Sequence, residues 1–479
     1  MRKTWVLLLL ILIVACAQPT PETPPGPTTE ERIASIKDSI LPVVIFDGEP
    51  VDTNSLEDLM AQYRVPGVSI AIIRDGEIEW ARGFGKADVE DERPVTPDTL
   101  FQAASISKPV AATAALRMVE EGLLDLDEDV NQKLTSWQVP ANEHTAKKPV
   151  TLRGLLTHSA GMTVHGFPGY AEGVEAPDAV GVLEGEGNTD PIRVDMEPGT
   201  EWRYSGGGYT VMQQLLVDVA GKPFPEIVRE KVLEPAGMSL STYQQPFPEA
   251  RFPEAASAYG PDGSRIEGKW HTYPEMAAAG LWTTPSDLAR FAMAIQRSRA
   301  GQPGALLSQD MARQMLEPSL NNHGLGPAIE GDGSRFGHGG SNAGFRCSFT
   351  ASIDGGWGMA VMTNGARGGQ LARLVMMTVA KSYGWDAPQP RVVKVADIGE
   401  EALSRIAGDY EVPGIGVLKF EPENDRLFAD VPRQGRLEFL PTSETEIVQR
   451  DDGRVFNFVM EDGKVTGFTT PGIIGKKVN

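Results

Sequence analysis

Cysteine, positive charge and long apolar runs are all scarce in this chain of 479 residues. Its two cysteines, Cys16 and Cys347, exclude a disulfide scaffold and a zinc site of four cysteines. Lys and Arg number 44 against 65 Asp and Glu, which gives a net charge of −21. Because that acidic excess repels phosphates and no basic run offsets it, we expect no nucleic-acid partner. The length exceeds the roughly 250–300 residues at which one core stops growing, so at least two domains are expected.

An unbroken apolar run, Trp5 to Ala15, follows Arg2 and Lys3 at the amino terminus. It is too short for a helix across a bilayer core of about 30 Å, which takes roughly 20 residues. We therefore interpret residues 1–15 as a signal peptide.

The end of this run, Ile13-Val14-Ala15-Cys16, resembles the lipobox of bacterial lipoproteins. That resemblance implies lipidation of Cys16, and hence an exported lipoprotein of the bacterial cell envelope, held at a membrane on its periplasmic or extracellular face. The proline-rich residues 16–32 are expected to form an extended tether. An ordinary signal peptide with a chance cysteine is the alternative interpretation.

Residues 33–387 carry the patterns of a mixed α/β (α+β) domain. Two β-type runs flank the turn at Asp75-Gly76, and two more flank Asp354-Gly355-Gly356. Between them, apolar residues at helical spacing predict helices over 111–119 and 212–219. Strands at both ends with helices between them predict an antiparallel sheet that is assembled from both ends of the domain and flanked by helices.

After Pro388 and Pro390 the pattern changes to short β-type runs separated by turns. The runs lie at about 417–420, 426–430, 436–440, 446–450, 454–460 and 464–469. Regular spacing of this kind predicts a small antiparallel β-barrel, which we place over 396–479.

Ser105 and Lys108 are a candidate catalytic pair. Residues three apart share a helix face, so the lysine amine can reach the serine hydroxyl. The pair precedes the helix predicted over 111–119, where the Ser105 backbone N–H would help to stabilise negative charge. Ser-x-x-Lys is common by chance, and a solvated lysine after a capping serine gives the same spacing.

Two glycine-rich segments farther along carry further polar side chains. Tyr204 begins Tyr-Ser-Gly-Gly-Gly-Tyr before a predicted helix, and His338 begins His-Gly-Gly-Ser before a predicted strand. Glycine at such positions lets a backbone approach a ligand closely. His158 is expected to be a buried structural histidine, Cys347 a small buried residue, and the histidine spacing predicts no metal site.

Ser105-x-x-Lys108, Tyr204 and His338-Gly339-Gly340, in that order, resemble the three signature elements of the serine β-lactamase and penicillin-binding-protein superfamily. The tyrosine is similar to that of the class C branch, which includes DD-peptidases, D-aminopeptidases and carboxylesterases. The resemblance covers roughly residues 53–385. The segment over 396–479 resembles the lipocalin-like domain of some of these hydrolases, for which a structural role is favoured over substrate gating.

The resemblance implies a two-step acyl transfer without a metal or organic cofactor. Ser105 would be the acylated nucleophile, Lys108 its partner in proton transfer, and Tyr204 a phenol that helps to deprotonate the serine and later the attacking water. Whether Lys108 or Tyr204 is the base stays open. The oxyanion hole would be the backbone N–H groups of Ser105 and Ser341, and the substrate would meet His338, Gly339, Gly340 and Gly206.

Two departures from the family pattern bear on the substrate. Gly206 stands where the family usually has an asparagine that bonds the acyl amide, and His338 stands where true β-lactamases have lysine. Both changes weaken the recognition of a β-lactam. We therefore expect a serine hydrolase, an esterase or peptidase, that takes small ester, amide or D-amino-acid-containing peptide substrates. The alternatives are a β-lactamase or DD-carboxypeptidase, and a non-catalytic envelope lipoprotein that binds peptidoglycan or β-lactams.

Overall fold

The computed structural model describes residues 27–431 and 435–478. The predicted signal peptide and Cys16 lie outside these ranges. Helix α1 (Thr29–Asp38) begins inside the segment predicted as a tether, because Thr28 and Glu31 form a capping box that starts a helix there. Residues 29–32 are therefore helical rather than extended. Among the described residues, no helix combines the length and the apolarity that a membrane crossing requires.

The strands of the larger domain and of its connection to the barrel follow in chain order. They are β1 (Val44–Asp47), β2 (Gly67–Arg74), β3 (Glu77–Asp88), β4 (Arg93–Pro94), β5 (Phe101–Gln102), β6 (Trp282–Thr283), β7 (Ala328–Glu330), β8 (Arg335–Asn342), β9 (Phe345–Ser352), β10 (Gly358–Thr363) and β11 (Arg391–Lys394). Seven of them form one antiparallel sheet in the order β4-β3-β2-β10-β9-β8-β7. The sheet joins both ends of the domain where β2 pairs with β10, with Ile70 opposite Val361. The predicted fold class is confirmed.

The remaining helices cover both faces of this sheet, apart from the last of them, which packs on the barrel. They are α2 (Leu56–Tyr63), α3 (Ser107–Glu120), α4 (Leu152–Leu156), α5 (Ala179–Glu184), α6 (Gly206–Ala220), α7 (Phe224–Val228), α8 (Glu234–Ala236), α9 (Met276–Ala279), α10 (Pro285–Arg299), α11 (Gln309–Met315), α12 (Gly368–Tyr383) and α13 (Gly399–Ile406). The hairpin predicted at Asp75-Gly76 is the β2–β3 turn, and both of its residues have positive φ.

The sheet separates two hydrophobic cores because successive side chains of a strand point to opposite faces. On β2, Ala71 and Ile73 belong to the core that contains α3, α6 and α10. Ile70 and Ile72 belong to the core that contains α1, α2 and α12. Helix α3 is buried on nearly all sides, so its alanines give close packing rather than an amphipathic stripe.

The carboxyl-terminal segment is a closed barrel that confirms the predicted architecture. Its strands are β12 (Gly408–Val412), β13 (Gly416–Glu423), β14 (Arg426–Val431), β15 (Gly435–Ser443), β16 (Glu446–Gln449), β17 (Val455–Glu461), β18 (Lys464–Thr470) and β19 (Ile473–Lys477). The prediction omitted β12 and β19, which close the barrel where Tyr410 pairs with Lys477. Aromatic rings fill the interior, with Phe420 5.2 Å from Phe439 and 5.6 Å from Tyr410 between ring centroids.

A short parallel pair, β1 with β11, lies between the two domains. Val44 and Phe46 of β1 share a small core with Leu440 and Val448 of the barrel. β1 therefore packs on the barrel although it lies within residues 33–387, which were predicted as one catalytic domain.

Candidate active site

Ser105 lies on a single 3-10 turn, Ala104–Ile106, between β5 and α3. Ala104 has a φ of 50°, a left-handed conformation that costs a residue with a Cβ about 1–2 kcal/mol. The Ser107 side chain fixes this turn: its Oγ lies 2.5 Å from the Ala104 carbonyl oxygen and accepts from the Leu281 N–H at 3.0 Å. Strain that packing holds in place is typical of functional sites.

Lys108 lies on the first turn of α3 and is 2% exposed. Its Nζ donates to Ser105 Oγ at 3.0 Å and to the Ala278 carbonyl oxygen, on α9, at 2.9 Å. The Tyr204 ring centroid is 4.9 Å from the same nitrogen. The structure thus brings the side chains of Ser105, Lys108 and Tyr204 together from three separate parts of the chain.

Tyr204 directly precedes α6, whose N-cap is Ser205. The Ser205 Oγ accepts from the Gly208 N–H at 2.9 Å, which makes glycines 206–208 the first helical turn rather than the predicted loop. The same Oγ donates to the Thr163 carbonyl oxygen at 2.6 Å, so the residues before the helix are tied to a neighbouring segment.

Gly206 has no room for a side chain. A Cβ at this position would lie 2.9 Å from the Phe167 ring and 3.2 Å from the His165 carbonyl oxygen. The space that an asparagine side chain would enter is therefore occupied by an aromatic ring.

His338, Gly339, Gly340 and Ser341 lie within β8, not before a strand as predicted, because they pair in register with β9. Gly340 lets β8 pack tightly on the turn that carries Ser105: a Cβ there would be 2.2 Å from the Ala103 carbonyl oxygen and 2.6 Å from Cys347 Sγ. A Cβ on Gly339 would meet nothing closer than 4.0 Å. Cys347 is buried, and burial raises its thiol pKa to about 12.

His338 is neutral at physiological pH. Burial and the nearby charge of Lys108 lower its pKa to about 3. Its Nδ1 lies 2.6 Å from the Gly339 carbonyl oxygen, and since a carbonyl only accepts, Nδ1 carries the proton. His338 therefore lacks the positive charge that a lysine would place at this position.

Three more histidines form a cluster with Tyr204, and sequence patterns did not place them there. Between ring centroids, His158 is 4.3 Å and His165 is 4.8 Å from Tyr204. The ring of His323 does not contact Tyr204 in this way but lies 4.7 Å from that of His158. His158 is buried as predicted, and its Nδ1 accepts from the Ser205 N–H at 3.1 Å. Burial, the largest cause, lowers the pKa of both His158 and His323, the latter to about 4. The lowered pKa values leave His158 and His323 as neutral rings in this cluster.

A cavity of about 870 Å³ opens over these groups. Its lining includes Ser105, Lys108, Phe167, Trp202, Tyr204, His338, Gly339, Gly340, Ser341 and Arg346. Among the described residues, its lining includes the basic side chains of Lys108 and Arg346 and no Asp or Glu. In a protein of net charge −21, the ionisable Lys and Arg side chains that border this cavity are therefore both basic residues.

Arg346 lies on β9 and is half-buried. Its Nη1 donates to the carbonyl oxygens of Asn342 and Phe345, each at 2.7 Å. Burial lowers its pKa, and within the described ranges no carboxylate lies within 4.0 Å of it. The guanidinium keeps further donors for an anionic group in the cavity.

The arrangement contains the parts of an acyl-transfer site. The Lys108 nitrogen lies against the Ser105 hydroxyl and close to the Tyr204 ring, and the backbone of Ser341 borders the same cavity as Ser105.

Comparisons with known proteins agree with this geometry. The family model described as Beta-lactamase matches residues 53–380. The putative penicillin-binding protein PbpX of Bacillus subtilis (strain 168) is 28% identical over 272 residues, which cover 54% of this chain and 64% of that protein. The esterase EstB of Burkholderia gladioli is 29% identical over 289 residues, which cover 58% of this chain and 72% of the esterase.

A similar fold is present in the octameric penicillin-binding protein homologue from Pyrococcus abyssi. That structure has a TM-score of 0.60 and 24% identity, and the match covers 88% of this chain and 99% of the other. The coverage includes most of both domains described above.

Proposed function

Because the chain belongs to the β-lactamase family, a family of mostly serine hydrolases, we propose that it hydrolyses esters or small peptides containing D-amino acids through an acyl-enzyme on Ser105. The observation that carries the proposal is the 3.0 Å hydrogen bond from Lys108 Nζ to Ser105 Oγ, made by a nitrogen that lies 4.9 Å from the centroid of the Tyr204 ring. A hydroxyl held against a buried amine that is itself close to a phenol has partners for its proton when it attacks.

The reaction has two balanced steps. In acylation, Ser105 Oγ bonds to the substrate carbonyl carbon, its proton passes to Lys108 or Tyr204, and the leaving alcohol or amine departs with a proton from that pair. In deacylation, a water attacks the acyl-enzyme, gives its proton to the same pair and releases the acid, while Ser105 regains its hydrogen. The backbone N–H groups of Ser105 and Ser341 are the proposed donors to the oxyanion in both steps.

Two features favour esters and small peptides over β-lactams. His338 is neutral, so it offers no fixed cation to the carboxylate of a β-lactam. Gly206 provides no side-chain amide for the acyl group. Similarity to an esterase supports the same preference.

The test is Ser105-dependent turnover in one preparation of the purified chain. p-Nitrophenyl esters, a D-alanine p-nitroanilide and nitrocefin are compared, together with labelling by a fluorophosphonate probe. We expect ester or D-alanine amide turnover and labelling in the wild type, both lost in Ser105→Ala and kept in the barrel-surface control Ser443→Ala. Absence of any Ser105-dependent adduct or turnover contradicts the proposal, and dominant nitrocefin hydrolysis identifies a β-lactamase instead.

We also propose that the protein acts at the bacterial cell envelope, anchored by lipid on Cys16. The support is the sequence Ile13-Val14-Ala15-Cys16. Cells fed an alkyne fatty acid should label the wild type and Cys347→Ser but not Cys16→Ser. Since Cys347 is buried, it is a matched control, and labelling that survives in Cys16→Ser contradicts the anchor.

A further inference from the structure

The segment that carries Phe167 is bound along its length to the elements around the active site. The carbonyl oxygens of Val164 and His165 accept from the N–H groups of Gly207 and Gly206, each at 3.0 Å. On the other side of Phe167, the Pro168 carbonyl oxygen accepts from the Tyr273 hydroxyl at 3.3 Å. Phe167 is therefore held by backbone contacts on both sides.

These contacts place the Phe167 ring over the first turn of α6. The ring lies 2.9 Å from the position that a Cβ on Gly206 would take, and it lines the same cavity as Trp202 and Tyr204. These three aromatic side chains of the lining, Phe167, Trp202 and Tyr204, are called the aromatic wall below.

Position 206, beside the Phe167 ring of the aromatic wall, has no side chain that could form a hydrogen bond with the acyl group of a substrate. An amide brought against Phe167 would lose water without gaining a hydrogen bond from that ring or from position 206, which costs roughly 1–3 kcal/mol, whereas an alkyl or aryl group gains by burial. A site rejects a substrate whose polar groups it leaves without hydrogen-bond partners. This site should therefore prefer an apolar acyl group to one that contains an amide.

We infer that Phe167 is a specificity-determining residue that selects esters with an apolar alkyl or aryl acyl group and disfavours acylamino groups. This inference rests on the proposed function, which it narrows toward ester hydrolysis. Phe167 acts by contact with the substrate's acyl chain and takes no part in proton transfer.

The test compares two esters whose acyl chains have equal length, p-nitrophenyl pentanoate and p-nitrophenyl N-acetylglycinate. In the wild type we expect kcat/KM to be at least about tenfold higher for the pentanoate. Phe167→Ala should reduce that ratio to near one, chiefly by a loss on the pentanoate, and Phe167→Leu should keep most of it. Phe428→Ala removes the same side chain from the outer face of the barrel and should leave both values unchanged.

A second measurement does not depend on turnover. n-Butylboronic acid and acetamidomethylboronic acid carry the same two chains and bond through boron to a serine hydroxyl, so their Kd values report acyl recognition alone. The wild type should bind the butyl compound more tightly, and Phe167→Ala should lose this preference. A wild-type preference for the acetamido compound, or a ratio that Phe167→Ala leaves unchanged, overturns the inference. Missing ester turnover with the boronic-acid preference intact overturns the proposed hydrolysis instead.

Discussion

Gly340 lies so close to Ala103 that a Cβ on Gly340 would come within 2.2 Å of the Ala103 carbonyl oxygen. This contact joins β8 directly to the turn that carries Ser105. Gly340→Ala must push the strand and the turn apart, so we expect a loss of about 1–3 kcal/mol in stability and of most ester turnover. Thermal unfolding and kcat/KM measure both effects. Gly339→Ala is the matched control, since its Cβ has open space, and an equal loss of stability there would contradict this explanation.

Substitutions of Lys108 distinguish proton transfer by this side chain from a contribution of its positive charge near Ser105. Lys108→Ala should lower kcat/KM by about 10²–10⁴-fold. Lys108→Arg should be similarly impaired, because a guanidinium keeps its charge but does not release a proton. Steady-state kinetics with one ester settle the comparison, and Lys419→Ala on the exposed barrel surface is the control. Substantial activity in Lys108→Arg would contradict a base role for the lysine.

Arg346 should bind anionic groups of the substrate. The butyrate ester of 3-hydroxybenzoate and phenyl butyrate differ by one carboxylate on the leaving group. Arg346→Gln should raise KM for the charged ester roughly tenfold to a hundredfold, and that of the neutral ester little, because a half-buried guanidinium donates charge-assisted hydrogen bonds. Arg436→Gln, on the barrel, should change neither value. An equal effect on both esters would show that Arg346 acts only through the fold.

Glu275 makes the stability of the protein depend on pH. It immediately precedes α9, is fully buried, and its carboxylate oxygens have no hydrogen-bond partner within the described ranges. Burial raises its pKa from 4.5 to about 7. Between these values the unfolded state ionises while the folded state keeps its proton, so this group's contribution to stability falls as pH rises from about 4.5 to 7 and is constant above.

Glu275→Gln should remove the fall in folding stability that this carboxyl group causes as pH rises. Relative to the wild type, we expect the variant to gain on the order of 3 kcal/mol at pH 8 and little at pH 4.5. Denaturant unfolding of both proteins across this pH range measures the difference. A difference that stays constant with pH would contradict the assignment to this carboxyl group.

The sequence predicted the elements whose signals are local. Alternation and Asp-Gly turns located the β2–β3 hairpin and most barrel strands, and helical spacing located α3 and α6. The glycines at 206–208 were predicted as a loop because their weak helix propensity hides the cap that Ser205 supplies. β12 and β19 were missed because their pairing is fixed by closing the barrel on each other, which no local pattern signals.

The residues of the candidate site that were predicted are also those with a local sequence signal. Ser105, Lys108, Tyr204 and His338 belong to recognisable short patterns. His165, His323 and Phe167 carry no such pattern. His165 reaches Tyr204, Phe167 reaches Gly206 and His323 reaches His158 only because segments distant in sequence converge there. Arg346 had no signal either, since an unpaired cation is recognised only once its surroundings are known.

The contacts of α1 with the larger domain limit how far that domain can lie from Cys16. Thr29 Oγ1 donates to Glu79 Oε1 on β3 at 2.8 Å, and the Arg32 guanidinium lies 4.3 Å from the centre of the Tyr383 ring on α12. The catalytic domain is therefore fixed to the chain from Thr29 onward. Whatever path they take, the 13 residues from Cys16 to Thr28 span at most about 45 Å. With lipid on Cys16, catalysis would be confined to a thin layer over the membrane, where enzyme density follows membrane area rather than compartment volume.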